Sequence, residues 1–281
     1  MTEFINANEP TIRLGFFLGI FIAVILWELA APCRPLTQPR WLRWYSNLGI
    51  VVLNTVAVRL LVPLVPVALA VMAETRGWGL LNLVDLPFWL TVVVSVVVLD
   101  LVIYFQHVMF HAVPTLWRLH RMHHADLDFD VTTGARFHPI EIILSILLKF
   151  AVITVIGPPA IAVIVFEVLL NGTSMFNHGN IRLPRVLDRV LRWFIVTPDM
   201  HRVHHSSIPA ETNSNFGFSL PYWDRLFGTY RDQPELGHEG MNIGLNAFRK
   251  ASELHLHKML IQPFKRGAGG YSINRTPGDE T

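Results

Sequence analysis

Eight histidines fall in three spaced clusters: His107-x-x-x-His111, His120-x-x-His123-His124 and His201-x-x-His204-His205. Spacings of three and four place side chains on one helical face, so each cluster can present two or three imidazoles in one direction. That is metal-ligand geometry. A lone histidine at a membrane boundary is usually interfacial or hydrogen-bonded. Eight crowded imidazoles are opposed by mutual repulsion when protonated and by desolvation when neutral, unless a cation binds them together. Imidazole suits iron, zinc, copper and nickel, so ligand type alone does not choose the metal. Ligand number is more informative. One tetrahedral zinc takes at most four protein ligands, whereas this set suffices for two ions that each keep a position open for O2 or water. The H-E-x-x-H helix of a metalloprotease is absent. Bis-histidine haem needs only two axial ligands, and the pair of Glu-x-x-His motifs of soluble di-iron bundles is missing.

The elements that must carry these clusters are apolar. Of 281 residues, 52% are hydrophobic and only 16% charged, and the apolar residues run in blocks too long for one soluble core. The pattern predicts an all-α, multi-pass membrane protein of about four to five crossings with a helical cap. Residues 14–31 are long enough to cross a hydrocarbon core of roughly 30 Å. Residues 48–72 carry Asn54, Arg59, Pro63 and Pro66, which predict a kinked or partly interfacial helix. The third block, 88–110, is apolar until Asp100. There Asp100, Tyr104, His107 and His111 follow at helical spacing, a stripe that must face protein or a cavity. Residues 140–176 cover two crossings and are broken at Gly157-Pro158-Pro159, which predicts a helical hairpin. A hairpin returns the chain to the side it left, so the clusters around 107–124 and 201–205 share one side. The organisation expected is one domain over 1–265, with the histidine core at 88–231 and a disordered tail at 266–281.

A net charge of +2 with scattered arginines excludes a basic nucleic-acid binder. Cys33 is the single cysteine, which leaves no intramolecular disulfide and no cysteine-based zinc cluster. The first block lacks the pattern of a cleaved signal peptide and is read as a retained anchor. Arg34, Arg40 and Arg43, together with the arginines flanking the histidines, put the histidine side in the cytoplasm by the positive-inside tendency, at a bacterial inner membrane or the endoplasmic reticulum. Two rivals follow from the same residues. A metal transporter would line a path with ligands near the bilayer midplane, and a zinc hydrolase would need a carboxylate base beside its ion.

From about Asp100 to Tyr230 the chain resembles the membrane fatty acid hydroxylase and sterol desaturase superfamily. The matching stretches are DLVIYFQHVMFH (100–111), LWRLHRMHH (116–124), RFHPIE (136–141), FNHGN (176–180), TPDMHRVHHS (197–206), NSNFG (213–217) and YWDRLFGTY (222–230). The resemblance implies a non-haem di-iron centre, with zinc able to replace iron in purified protein. It also implies O2 as oxidant, a separate cytochrome b5-like or ferredoxin-like electron donor, and hydroxylation or desaturation of a lipid drawn from the bilayer. Carried over by position, His107, His111, His120, His123, His124, His201, His204 and His205 become ligands, and His178 a ninth. Many members have a further histidine four positions before His178, where this chain has Ser174. His138 reads either as a ligand or as a helix cap. Asp100 reads as a carboxylate that orients an imidazole or as a partner of Arg59. Asp199 and Asp224 read as caps or ion-pair partners, and His238, His255 and His257 as surface residues. Trp41, Trp44, Trp117, Trp193 and Trp223 read as interfacial anchors.

Overall fold

The computed structural model describes residues 8–266 and 270–274. Its helices are α1 (Glu9–Ala30), α2 (Arg40–Leu61), α3 (Pro66–Arg76), α4 (Phe88–Ala112), α5 (Pro114–His124), α6 (Pro139–Ile156), α7 (Ala160–Asn177), α8 (Arg185–Leu191) and α9 (Pro198–His204), followed by shorter turns of helix. Among the described residues, β pairing is confined to two isolated bridges. Five segments are long and apolar enough to cross a membrane: α1, the Arg40–Asn82 stretch containing α2 and α3, α4, α6 and α7. The second is fully broken, beyond the predicted kink. Pro66 opens α3, and Val65 before it is extended at φ −97° and ψ 153°, as the ring of a following proline requires.

The loops sort to two ends. At one, Asn82 Nδ2 donates to Gly157 O at 3.2 Å. At the other, Cys33 N donates to Asn180 O and Arg182 N to Ala31 O. The segment after α1, the α5 region and the described residues after α7 therefore share the histidine end, and the Gly157-Pro158-Pro159 turn meets residues 78–82 at the far end. The predicted hairpin is present, with α3 packed against both its arms through Leu69, Ala70, Ile153 and Val163. Along α1, Val24 packs with Met175 of α7 and with Ile181 and Leu183. Leu14, Ile22 and Leu26 on the other faces of α1 are more than half exposed, as lipid-facing residues of a crossing helix must be.

Part of the expected tail departs from the sequence reading. Residues 267–269 and 275–281 lie outside the described residues, but Tyr271 is buried and its ring stacks on Trp117 at 5.8 Å.

Gly157 has φ +66°, and a Cβ there would stand 2.1 Å from Trp78 O, while a Cβ on Gly79 would stand 2.2 Å from Gly157 N. Gly15 on α1 has open space around it. Gly157→Ala is expected to destabilise the fold by about 1–3 kcal/mol and Gly15→Ala to leave it unchanged or slightly firmer. Thermal unfolding in detergent checks this, and equal midpoints for the two variants would remove the far-end contact from the account.

Candidate metal centre

Four elements deliver the imidazoles. His107 and His111 lie one turn apart at the end of α4; His120, His123 and His124 occupy the last turn of α5; His178 caps α7; and His201, His204 and His205 come from α9 and its C-cap. The starts of α5 and α9 are fixed by Pro114 and Pro198 at their first positions, and Thr197 accepts from Met200 N as the N-cap of α9. All nine rings are buried. They fall into two adjoining groups whose ligand atoms lie within 4.8 Å of one another: His107, His111, His120, His124 and His204, and then His123, His178, His201 and His205.

Hydrogen bonds fix which nitrogen faces inward. Nδ1 of His107 donates to Phe216 O at 2.7 Å, Nδ1 of His178 to Ser174 O at 2.7 Å and Nδ1 of His204 to Ser214 O at 2.7 Å. Nδ1 of His111 donates to Asn213 Oδ1 at 3.0 Å, and Nδ1 of His120 to Glu141 Oε1 at 2.6 Å. Carbonyl and carboxylate oxygens only accept, so these five rings carry the proton on Nδ1 and present a bare Nε2. Two such lone pairs, on His107 and His120, then face each other at 3.1 Å, where no hydrogen bond can form between them. Nε2 of His178 lies 3.2 Å from Nε2 of His123 and 3.1 Å from Nε2 of His201. Neighbouring ligand nitrogens on one ion at about 2.1 Å stand roughly 3.0–3.4 Å apart. Nε2 of His111 and His204, and both ring nitrogens of His124 and His205, are buried without a hydrogen-bond partner. Orphaned inward-facing donors at ligand spacing fit a pair of metal ions.

Burial keeps the rings in the form a metal needs. Desolvation pushes His120 and His178 down to about 3; His123, His124, His201, His204 and His205 fall well below their ordinary value through desolvation first and neighbouring imidazoles second. Neutral imidazole is the ligand form.

The supports are loops tied by buried polar groups. The 213–217 stretch supplies three of the five acceptors. It is pinned by Asp224, which accepts from Phe216 N at 2.7 Å and Gly217 N at 2.9 Å, and by Asn215, whose side chain bridges Met200 O, Arg231 O and Arg231 N. Behind α5, Asp126 accepts from Arg43 Nε at 2.7 Å and Asp130 accepts from Arg43 Nη1, with both partners buried. Asp128 accepts from the backbone N–H of Thr37 and Gln38, and Glu28 from those of Val131 and Asn180. Asp126, Asp128, Asp130, Glu28 and Glu141 went unread in the sequence analysis. The alternation D-L-D-F-D two residues after a histidine box was the available signal for the first three. Glu141 sits in the quoted RFHPIE stretch, the third residue of a lipid-crossing helix, where a carboxylate needs a partner.

Several single residues sit elsewhere than the sequence suggested. Asp100 accepts from Trp223 Nε1 at 2.8 Å and Leu220 N at 3.3 Å, so it anchors the cap and touches neither an imidazole nor Arg59, which is exposed. The role considered for Asp100 belongs to Glu141. His138 stands outside both groups and accepts from Ile140 N at 3.2 Å as the N-cap of α6. Trp117 is buried against His111 and His124, not placed at an interface, and Trp223 is held by Asp100. Asp199 pairs with Arg202, and His238 is half-buried beside that pair, while His255 and His257 are exposed.

Removing the acceptor of a ligand's second nitrogen weakens metal affinity by about 10- to 100-fold. Glu141→Leu is therefore expected to release metal from the five-histidine group at lower chelator concentration, and Asp100→Asn to retain it. Chelator titration followed by metal counting distinguishes them; equal retention by both would strip Glu141 of its orienting role.

Residues 92–229 match the fatty acid hydroxylase family. Among similar proteins, the ornithine lipid hydroxylase OlsE of Rhizobium tropici is 29% identical over 192 residues, covering 68% of this chain and 55% of that protein. Alkylglycerol monooxygenase of Xenopus tropicalis is 30% identical over 194 residues, covering 66% and 41%, and that of Homo sapiens is 25% identical over 181 residues, covering 61% and 38%. The chain thus spans about half or less of the length of these relatives. No solved structure matches it significantly. The matched stretch runs from before the first histidine box through the last, and every box histidine is drawn into two ligand groups, so the resemblance to the fatty acid hydroxylase family read from the sequence is borne out.

Proposed function

We propose that this chain is an integral-membrane, di-iron, O2-dependent enzyme that hydroxylates a C–H bond of a polar lipid. The observation that carries it is the pair of adjoining imidazole groups, five and four rings, buried at one end of a membrane bundle, with the inward Nε2 of five of the rings left bare by the oxygens on their Nδ1. Bound there, two iron ions would supply O2 activation for RH + O2 + 2e⁻ + 2H⁺ → ROH + H2O, the electrons coming from a separate donor protein. The residues of the chain do the rest. Glu141, Phe216 O, Ser214 O, Ser174 O and Asn213 orient the rings, so no reorganisation is needed when metal binds. Phe218 lies 4.9 Å from the His107 ring, Phe137 4.6 Å from His123 and Phe129 5.1 Å from His205. That aromatic wall excludes water and suits an alkyl chain, which protects a reactive oxidant from side reactions.

The lipid class follows from the relatives' names, since an ornithine lipid and an alkylglycerol each join a polar head to long alkyl chains. Hydroxylation is favoured over desaturation on the same ground. A transporter is disfavoured because the groups lie at one end of the bundle behind closed loops, and a zinc hydrolase because the carboxylate in contact with the imidazoles, Glu141, is engaged by His120. The arginines at the histidine end, Arg34, Arg118, Arg182, Arg185 and Arg189, favour the cytoplasmic side.

Purified protein reconstituted anaerobically with ferrous iron is expected to hold about two ions per chain. Membranes supplied with ¹⁸O2 and reductant should then yield a lipid alcohol carrying one ¹⁸O. His204→Gln should abolish the product while leaving membrane insertion intact, because insertion depends on the apolar segments; full activity in that variant would overturn the reading.

Reporter fusions after Cys33 and after Ala125 should register the cytoplasmic side, and a fusion after Arg76 the opposite side. A cytoplasmic signal at Arg76 would mean that α2 and α3 do not cross.

A further inference from the structure

The segment 270–274 lies beyond the stretch matched to the family, yet it ends at the metal centre. Ser272 Oγ donates to His111 O at 3.1 Å and to Ala112 O at 3.2 Å, and Ile273 N donates to His111 O at 2.9 Å. These carbonyls belong to the last turn of α4, which has no partners of its own within the helix. Tyr271 holds the segment in place. Its ring stacks on Trp117, its hydroxyl donates to Ser207 O at 2.8 Å, and Asn246 N donates to that hydroxyl at 3.0 Å.

The decisive contact is with Asn213. Its Nδ2 donates to Tyr271 O at 2.7 Å while its Oδ1 accepts from Nδ1 of His111 at 3.0 Å. A carboxamide is nearly symmetric in shape, and only its hydrogen-bond partners decide which end is oxygen. If it turned over, its N–H would face His111 Nδ1, which would then have to accept and move its own proton to Nε2. A protonated Nε2 cannot bind metal.

We propose that Tyr271 is a positioning residue for the five-histidine group: it fixes the Asn213 amide, and through it the tautomer in which His111 presents a bare Nε2. The proposal rests on the metal-centre reading given above. It accounts for two features at once, the buried unpartnered Nε2 of His111 and the burial of a tyrosine from the 270–274 segment beside it.

The test uses the full-length chain in detergent, titrated with ferrous iron or Co²⁺ and read by metal stoichiometry and by the optical or Mössbauer inequivalence of the two ions. The parent chain should bind two. Tyr271→Ala should bind one ion as before and the other about tenfold more weakly. Adding Asn213→Asp to Tyr271→Ala should restore the second ion, because a carboxylate beside His111 Nδ1 can only accept, whatever the strap does. Unchanged binding in Tyr271→Ala overturns the proposal. Weakened binding that Asn213→Asp fails to restore also overturns it, since it would show the strap acting by packing alone. A parent chain that binds no pair of ions fails the underlying reading instead, before any variant is compared.

Discussion

Two imidazole lone pairs held 3.1 Å apart in a buried site are the constraint on which the rest of this molecule depends. Left to themselves the rings would rotate, change tautomer or admit water to relieve the repulsion. Each of those escapes is blocked by a specific oxygen on Nδ1, and each such oxygen belongs to a segment fixed elsewhere. Phe216 O is held by Asp224, Glu141 by the first turn of α6, and Ser174 O by the end of α7. The scaffold therefore holds the arrangement a pair of cations requires, and binding them would relieve the repulsion between these lone pairs.

Holding α5 in place needs a second set of buried charges. Arg43 on α2 meets Asp126 and Asp130 in a region where all three side chains are essentially inaccessible. Such a cluster is a weak source of net stability, because desolvation offsets most of the attraction, but removing one partner leaves an uncompensated charge. Its more important effect is on register. Bidentate contact from Arg43 to Asp126, two residues beyond His124, ties the histidine helix to α2 at one defined height. Asp224 shows the same sign of cost, its carboxyl pushed up by burial even though two backbone N–H groups and a threonine hydroxyl donate to it.

What could be read from the sequence was whatever has a period. Apolar blocks predicted about four to five crossings, where the structure has five segments long and apolar enough, Gly157-Pro158-Pro159 predicted the hairpin, and the three- and four-residue histidine spacings predicted a shared face. Partners set by tertiary contact left no such trace. Asp100 and Glu141 are both lone carboxylates on crossing helices, and nothing local says that one meets an indole and the other an imidazole. Asp100 was singled out because it lies two turns from His107 on the same helix; Glu141 reaches His120 across twenty-one positions and a loop. Trp117 was misplaced for a related reason, since an indole near a predicted boundary has the same sequence appearance whether it faces lipid headgroups or a ring of histidines. In the C-terminal stretch, composition cannot see that one tyrosine of residues 270–274 finds a socket.

The division of rings between the two groups explains why H-x-x-H-H occurs twice. At about 100° per residue, positions i and i+4 diverge by only about 40°, whereas i+3 falls about 60° to the other side of i. A helix with this motif thus aims two rings at one point and the third at a neighbouring point. On α5, His120 and His124 join the five-ring group and His123 joins the four-ring group; on α9, His201 and His205 join the four-ring group and His204 the five-ring group. The two helices make opposite choices. Each gives its pair to one group and its single ring to the other, so neither group can form from one helix alone. The remaining rings, His107 and His111 on one side and His178 on the other, come from the ends of α4 and α7, the crossing helices that flank the site. A single-ion site would leave the i+3 ring of each motif pointing away from it into a buried space, with a lone pair and no partner. The motif thus fits half of a two-ion site, completed when the hairpin brings the second copy back to the first.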